Sequence, residues 1–222
     1  MSNQEIIEKT RAFVEQKFTA DGSGHDYWHM HRVWKLAGHI ADNEPTADHF
    51  VVELAALLHD LTDTKLTSGD TSLGEQQIIA WLESIAVNKT TILSVLHAIQ
   101  DTSFSSTIGA SNSSAGLSKI EAKIISDADK LDAIGAIGIA RAFAYGGSKN
   151  RKIHDPARQT DTYKNAQAYH ENDTPTINHF YEKLLLLKDR MHTETGKQMA
   201  LARHKYMEQF LAEFYAEWDG KH

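Results

Sequence analysis

Apolar residues recur along most of this chain at helical rather than strand spacing. Over residues 3–18, Ile6, Ile7, Phe13, Val14 and Phe18 follow a helical period. The pattern predicts a second helix from about Asp26 to Ala41, with the short acceptor side chain of Asp26 suited to cap it. Further helices are predicted over about Thr46–His59, Leu73–Ser84 and Lys89–Ile99. The stretch Ser105–Ser118 holds six serines, two glycines and an asparagine, too polar to pack, and reads as a mobile loop. One long helical region is predicted from Lys119 to Tyr145, stopped by Gly146-Gly147-Ser148. Residues 148–175 read as irregular, and a final helical pair is predicted over about Thr176–Met191 and Thr193–Trp218. In the last, Met199, Met207, Phe210, Leu211, Phe214 and Trp218 make a stripe expected to be buried. The expectation is an all-α single domain.

Composition narrows the class. With 222 residues the chain is long enough for a sizeable core. Hydrophobic residues at 41% and charged residues at 24% are ordinary for a globular protein. There is no cysteine, which excludes disulfides, thiolate metal sites and a cysteine nucleophile. A net charge of -7 argues against a general nucleic-acid binder. No run approaches the ~18 apolar residues of a membrane span. Met1-Ser2-Asn3-Gln4-Glu5 lacks a basic stretch ahead of an apolar one, so a cytoplasmic location is expected.

The candidate chemistry lies where an apolar run ends in an imidazole and a carboxylate. Phe50 to Leu58 is nearly all apolar, and His59-Asp60 follows directly. Packing gives no reason for that pair, whereas a divalent metal does. His29 upstream and Asp129 downstream offer the same ligand types. Two imidazoles and two carboxylates from three segments would leave positions open on an octahedral ion, which favours Mn, Mg, Ni, Co or Fe over a closed structural zinc site. Such an ion can polarise a phosphoryl group and lower the pKa of water. Asp63 follows His59 by four residues and is the candidate general base, with a solvated carboxylate as the alternative. Arg32, Lys65, Lys130 and Arg141 are candidates to hold phosphate oxygens, with ordinary surface cations as the alternative. Asp132 could orient a ligand, touch a ribose, or pair with Lys130 or Arg141. Weaker candidates have bland readings. His25 reads as a loop residue, His31 and His39 as exposed, and His97 as a core histidine. His154-Asp155-Pro156 reads as a turn, Phe180 and Tyr181 as core, and Leu184–Leu187 as packing or an interface.

His29-x-x-Arg32-Val33, Leu57-Leu58-His59-Asp60 and Asp127-Ala128-Asp129-Lys130-Leu131-Asp132 together resemble the HD-domain superfamily of metal-dependent phosphohydrolases. Ala133–Arg141, Ile177–Lys183 and Thr193-Glu194-Thr195-Gly196-Lys197 resemble a branch of small, stand-alone bacterial members with nucleoside-triphosphate pyrophosphohydrolase activity. The resemblance implies an HD-domain helical bundle over residues 1–222 with a C-terminal helical extension. It implies one divalent metal on His29, His59, Asp60 and Asp129, and matches Asp63 to an acidic position that some members use to activate water. The chain departs from the branch at Thr102-Ser103-Phe104-Ser105, where His-Ser-Phe-Ser is frequent. The implied reaction converts a nucleoside triphosphate to a monophosphate and pyrophosphate. Alternatives are a hydrolase of a nucleoside monophosphate, a cyclic nucleotide or an alarmone, and a regulatory module that binds metal and nucleotide without turnover. A homodimer is also open, since the aromatic C-terminal helices offer surface beyond one core.

Overall fold

The computed structural model describes residues 1–18, 26–62, 70–105, 119–160 and 174–221. Among them it forms nine α-helices, two 3-10 segments and no strand, so the fold is all-α as expected. The helices are α1 (Asn3–Lys17), α2 (Tyr27–Ala41), α3 (His49–Leu58), α4 (Thr71–Ser84) and α5 (Lys89–Ser105), followed by α6 (Ile120–Asp132), α7 (Gly135–Ser148), α8 (Thr176–Glu182) and α9 (Glu194–Trp218). The 3-10 segments are His59–Thr62 and Leu184–Arg190.

The core is built around α3. Val51, Val52, Leu54, Ala55, Ala56, Leu57 and Leu58 are all buried, as a helix apolar on nearly every side requires. It packs against α1, α2, α5 and α6, and α2 also packs on α6. This layering brings the start of α2, the end of α3 and the last turns of α6 to one place. Side-chain caps fix the helix starts. The Asp26 carboxylate accepts from the His29 N–H at 3.0 Å, and that of Asp48 accepts from Phe50 and Val51.

Several sequence expectations are corrected. Helix three starts at His49 rather than Thr46, because Asp48 caps it, and it ends one residue before His59. Helix α5 runs on to Ser105 rather than ending near Ile99, and residues 106–118 of the expected loop lie outside the described set. The single helix expected over 119–145 is two helices. The chain turns at Ala133-Ile134, where α6 has ended, and Gly135, the first residue of α7, adopts φ 77°, a left-handed conformation open to glycine. Carbonyls freed there find cations: Arg203 donates to the Leu131 oxygen, and Arg141 Nη1 to the Asp132 oxygen at 3.3 Å. Gly146-Gly147-Ser148 lies inside the last turn of α7 instead of stopping it.

The helix expected over 176–191 breaks at Lys183 into α8 and a 3-10 segment, which buries Leu184 and Leu187 at its three-residue repeat. Leu186 stays exposed, and so does Tyr181, while Phe180 is core. In α9 only Met207 and Leu211 of the expected stripe are fully buried; Trp218 is 50% exposed. His97 is exposed rather than core. His31 is half-buried among the rings of Tyr27, Trp28 and Trp34 rather than exposed.

Helix α4 backs the His59–Thr62 turn and can do so only through Gly74. A Cβ at that position would lie 2.2 Å from the Leu61 oxygen and 2.8 Å from the Thr62 Cα. Both are backbone atoms, which no rotamer change can move aside. Gly74→Ala should therefore cost about 1–3 kcal/mol and displace the turn that carries His59 and Asp60. Urea unfolding and Mn2+ titration should both register the change, and an unchanged unfolding midpoint would refute the close packing.

Candidate metal centre

Three of the side chains predicted from sequence, His29, His59 and Asp129, bring ligand atoms together, and Asp60 lies beside both histidines. His29 lies in the first turn of α2, and His59 and Asp60 open the 3-10 turn after α3. The Thr62 hydroxyl closes that turn by donating to the His59 oxygen at 3.0 Å. Asp129 projects from α6. His29 Nε2 lies 3.6 Å from Asp60 Oδ2 and 3.5 Å from Asp129 Oδ1. His59 Nε2 lies 3.2 Å from Asp60 Oδ1. One ligand atom each from His29, His59 and Asp129 all fall within 4.8 Å of one another.

The hydrogen bonds behind the rings set their tautomers. His29 Nδ1 is 2.8 Å from Asp132 Oδ2, and His59 Nδ1 is 2.8 Å from the Ala56 carbonyl oxygen. Those oxygens accept, so each neutral ring carries its proton on Nδ1 and turns the Nε2 lone pair to the centre. Lone pairs of nitrogen and carboxylate oxygen then face each other at close range, an arrangement that a cation relieves. An octahedral ion with bonds near 2.1 Å places neighbouring ligands about 3 Å apart and opposite ones about 4 Å apart. The observed spacings and the N2O2 donor set fit such an ion. His29 is buried while the Asp129 side chain is 52% exposed, so the centre opens on the Asp129 side.

Asp132 is the hub behind the centre and is only 1% exposed. Besides His29 it binds Arg32 through Nε at 2.6 Å and Nη2 at 3.0 Å, and Arg141 Nη1 at 2.6 Å. Burial works against its ionisation. The hydrogen bonds from His29 and Arg32 and the charge of Arg141 outweigh burial and hold the carboxyl well below the usual range. Both Asp132 oxygens are thus bonded within the protein. Lys130 folds back along its own helix, with Nζ 3.2 Å from the Ser126 carbonyl oxygen. Burial pulls its pKa down against the opposing charges of Asp127 and Asp129. Asp63, Lys65 and His25 lie outside the described residues.

Sequence reasoning missed the role of Asp127. It points away from the centre and is fully buried. It accepts from the backbone of His192 at 2.9 Å, and from Thr193 N and Oγ1, each at 2.7 Å. This clamps the start of α9 onto α6, two residues from Asp129. The signal was present as two segments, Asp127–Asp132 and Thr193–Lys197, but nothing in either says that they touch. Thr102 donates to the Ile99 oxygen at 2.6 Å within α5.

Comparison with known proteins agrees with this arrangement. A family model described as HD domain matches residues 27–134, the span that holds His29, His59, Asp60 and Asp129. The protein YpgQ of Bacillus subtilis (strain 168) is 38% identical over 99% of this chain and 97% of its own length. A crystal structure described as an HD-superfamily hydrolase, from Bacillus thuringiensis, superposes with a TM-score of 0.77 and 41% identity, over 98% of this chain and 99% of that one. The crystal structure of Bacillus subtilis YpgQ in complex with ADP superposes with a TM-score of 0.77 and 33% identity, over 98% of this chain and 97% of that one. No helix among the described residues is long and apolar enough to cross a membrane. The chain therefore belongs to the HD-domain superfamily of metal-dependent phosphohydrolases.

Proposed function

We propose that this phosphohydrolase acts on nucleoside triphosphates, cleaving between the α- and β-phosphates to give a monophosphate and pyrophosphate. The nucleotide part rests on the ADP held by Bacillus subtilis YpgQ, which is similar to this chain over nearly its whole length. The bond cleaved rests on the motif resemblance to pyrophosphohydrolases. His29, His59, Asp60 and Asp129 would hold one divalent ion, of the group Mn, Mg, Ni, Co or Fe. When bound, that ion supplies Lewis-acid charge for a phosphoryl group and acidifies water.

The protein's own groups do the rest. Asp63 takes a proton from water as its oxygen forms a bond to the α-phosphorus, and the bond to the bridging oxygen breaks to release pyrophosphate. Asp132 is a positioning residue, which orients the His29 ring and holds Arg32 and Arg141 beside the centre. Arg32, Arg141, Lys65 and Lys130 counter the charge of the phosphate chain. A chain of net charge -7 needs such local cations to admit a polyanion.

A nucleotide panel assayed with Mn, Mg, Ni and Co tests the substrate class. Turnover in isotope-labelled water should place the label in the nucleoside monophosphate, marking attack at the α-phosphorus. Orthophosphate as the sole first product would replace this reading with another HD hydrolase, of monophosphates, cyclic nucleotides or alarmones. Binding without turnover would point to the regulatory module. Asp63→Asn keeps size and removes the base, so kcat should fall about 10²–10⁴-fold while bound metal persists. Near-normal kcat would remove Asp63 from the reaction.

A further inference from the structure

The corner where α6 gives way to α7 admits one side chain from α9. A Cβ at Gly135 would lie 3.0 Å from Arg203 Cγ, 3.1 Å from its Cβ and 3.3 Å from its Cδ. The arginine stem packs where that Cβ would be, and Arg203 Nη1 donates to the Leu131 oxygen. The next carbonyl, that of Asp132, accepts from Arg141 Nη1 at 3.3 Å. Arg203 thus reaches the end of α6 beside an arginine of the metal centre, although it stands outside the matched residues 27–134. Leu131 is two residues past Asp129, about 3 Å along the helix axis.

Arg203 is half-buried and makes no ion pair among the described residues. Burial pulls its pKa down. Asp132 does not offer it an oxygen, since both are taken by His29, Arg32 and Arg141. What remains is the end of α6, which carries only about half a negative charge and is shared with Arg141. A full positive charge held partly out of water is costly unless an anion completes its surroundings.

Capping the Leu131 oxygen needs one donor, and a neutral amide would serve. The guanidinium brings a second edge. Its Nε and Nη2 make no hydrogen bond within the protein, and neither is sealed from solvent. Arg32 uses the same Nε–Nη2 edge to hold both oxygens of Asp132, at 2.6 and 3.0 Å. That fork matches two oxygens of a carboxylate or a phosphate. We infer that Arg203 is a phosphate ligand supplied by the C-terminal helix, presenting this edge to the pyrophosphate part of the substrate and hence to the pyrophosphate product. Arg32 shares Asp132 with the metal ligand His29 and so stands next to the attacked phosphorus. Arg203 stands farther along α6 and serves the phosphates beyond the cleaved bond. This assignment rests on the triphosphate reading above, but its test separates the two.

The probe is inorganic pyrophosphate, titrated calorimetrically into the Mn2+-loaded full chain. Arg203→Gln keeps an amide that can donate to the Leu131 oxygen and removes the charge and the fork. Its pyrophosphate affinity should fall about 10- to 100-fold, as loss of hydrogen bonds to a charged group implies. KM for a nucleoside triphosphate should rise by a similar factor, with a smaller change in kcat and unchanged Mn2+ content. Arg203→Lys keeps the charge without the fork, so its affinity should fall between those of Arg203→Gln and wild type. Lys35→Gln removes an exposed cation on α2, over Trp34, and should leave pyrophosphate affinity unchanged. Wild-type pyrophosphate affinity in Arg203→Gln, whatever its urea midpoint, would reduce Arg203 to a cap on α6 and overturn the inference. An equal loss in Lys35→Gln would overturn it too. Should Arg203→Gln not fold, wild-type affinity in Arg203→Lys overturns it instead. If Arg203→Gln loses pyrophosphate but wild type does not cleave triphosphates, the phosphate ligand stands and the proposed reaction falls. If triphosphates are cleaved to pyrophosphate and Arg203→Gln keeps the wild-type KM, the inference alone falls.

Discussion

His59→Ala should strip the protein of its divalent ion and remove phosphohydrolase activity in the same step. The His59 ring is anchored through Nδ1 to the Ala56 oxygen, so Nε2 is committed to the centre, 3.2 Å from Asp60 Oδ1. Alanine deletes that donor and leaves Asp60 and Asp129 facing one another with one fewer ligand to hold a cation. Asp60→Ala should act in the same way from the other side of the turn. Loss of an outer partner of a metal ligand already costs about 10–100-fold in affinity or activity, so loss of a ligand itself should exceed that. Metal content per chain and turnover should fall together in both variants. Chelation of the wild type should match the variants, and added Mn2+ should restore only the wild type. His97→Ala, on the exposed side of α5, serves as the control and should change neither. Turnover by metal-stripped protein would sink the assignment, as would full metal content in His59→Ala.

Asp132→Asn should weaken both the metal centre and the fold. The carboxylate is buried and receives Arg32, Arg141 and the His29 ring within 2.6–3.0 Å. An amide of the same shape removes the negative charge and turns an NH2 group toward donors. Two guanidinium groups then lose their counter-charge. Breaking a buried pair in this way costs roughly 3–5 kcal/mol. Both arginines keep partial contact with water, at 29% and 23% side-chain exposure, which places the expected loss near the low end. His29 also loses the acceptor that fixes its tautomer, so Mn2+ affinity should drop about 10–100-fold.

The sign of the pH dependence follows from the same contacts. The folded carboxyl is held below its ordinary value of 3.8, so its stabilisation is complete above that value. That stabilisation is lost as pH falls below 3.8 toward the folded pKa. Urea midpoints measured against pH should show this acid loss in the wild type and not in Asp132→Asn. Wild-type stability and Mn2+ affinity in the variant would show that Asp132 neither positions His29 nor anchors the two arginines.

Much of the architecture was legible because it depends on local chemistry. Asp26 reads as a cap, and it accepts the His29 N–H as a cap does. The run from Phe50 to Leu58 reads as a buried helix and is the core of the molecule. Helix ends were less legible. Residues 119–145 carry helical periodicity on both sides of Gly135, and periodicity does not report a left-handed residue where one helix follows another. The helix through Leu184–Leu187 failed for a similar reason, since four consecutive leucines fit a 3.6- or a 3.0-residue turn equally well. Trp218 and His97 were misplaced because an apolar neighbourhood in sequence does not say which side of a helix meets another helix.

The sequence by itself determined the helical class, the main helices and the donor types of the candidate centre. Helix period, capping and ligand chemistry are properties of residues within a few positions of one another, so one chain displays them directly. Tertiary structure alone decided which residues meet. His29 and Asp132 are 103 positions apart, and Asp127 and Thr193 are 66 apart. Whether Asp132 touches a substrate or steadies a histidine, and whether Asp127 faces the centre or clamps α9, depends on packing of α2, α3, α6 and α9. Such packing is a sum of many weak contacts between distant segments, and no short motif encodes it.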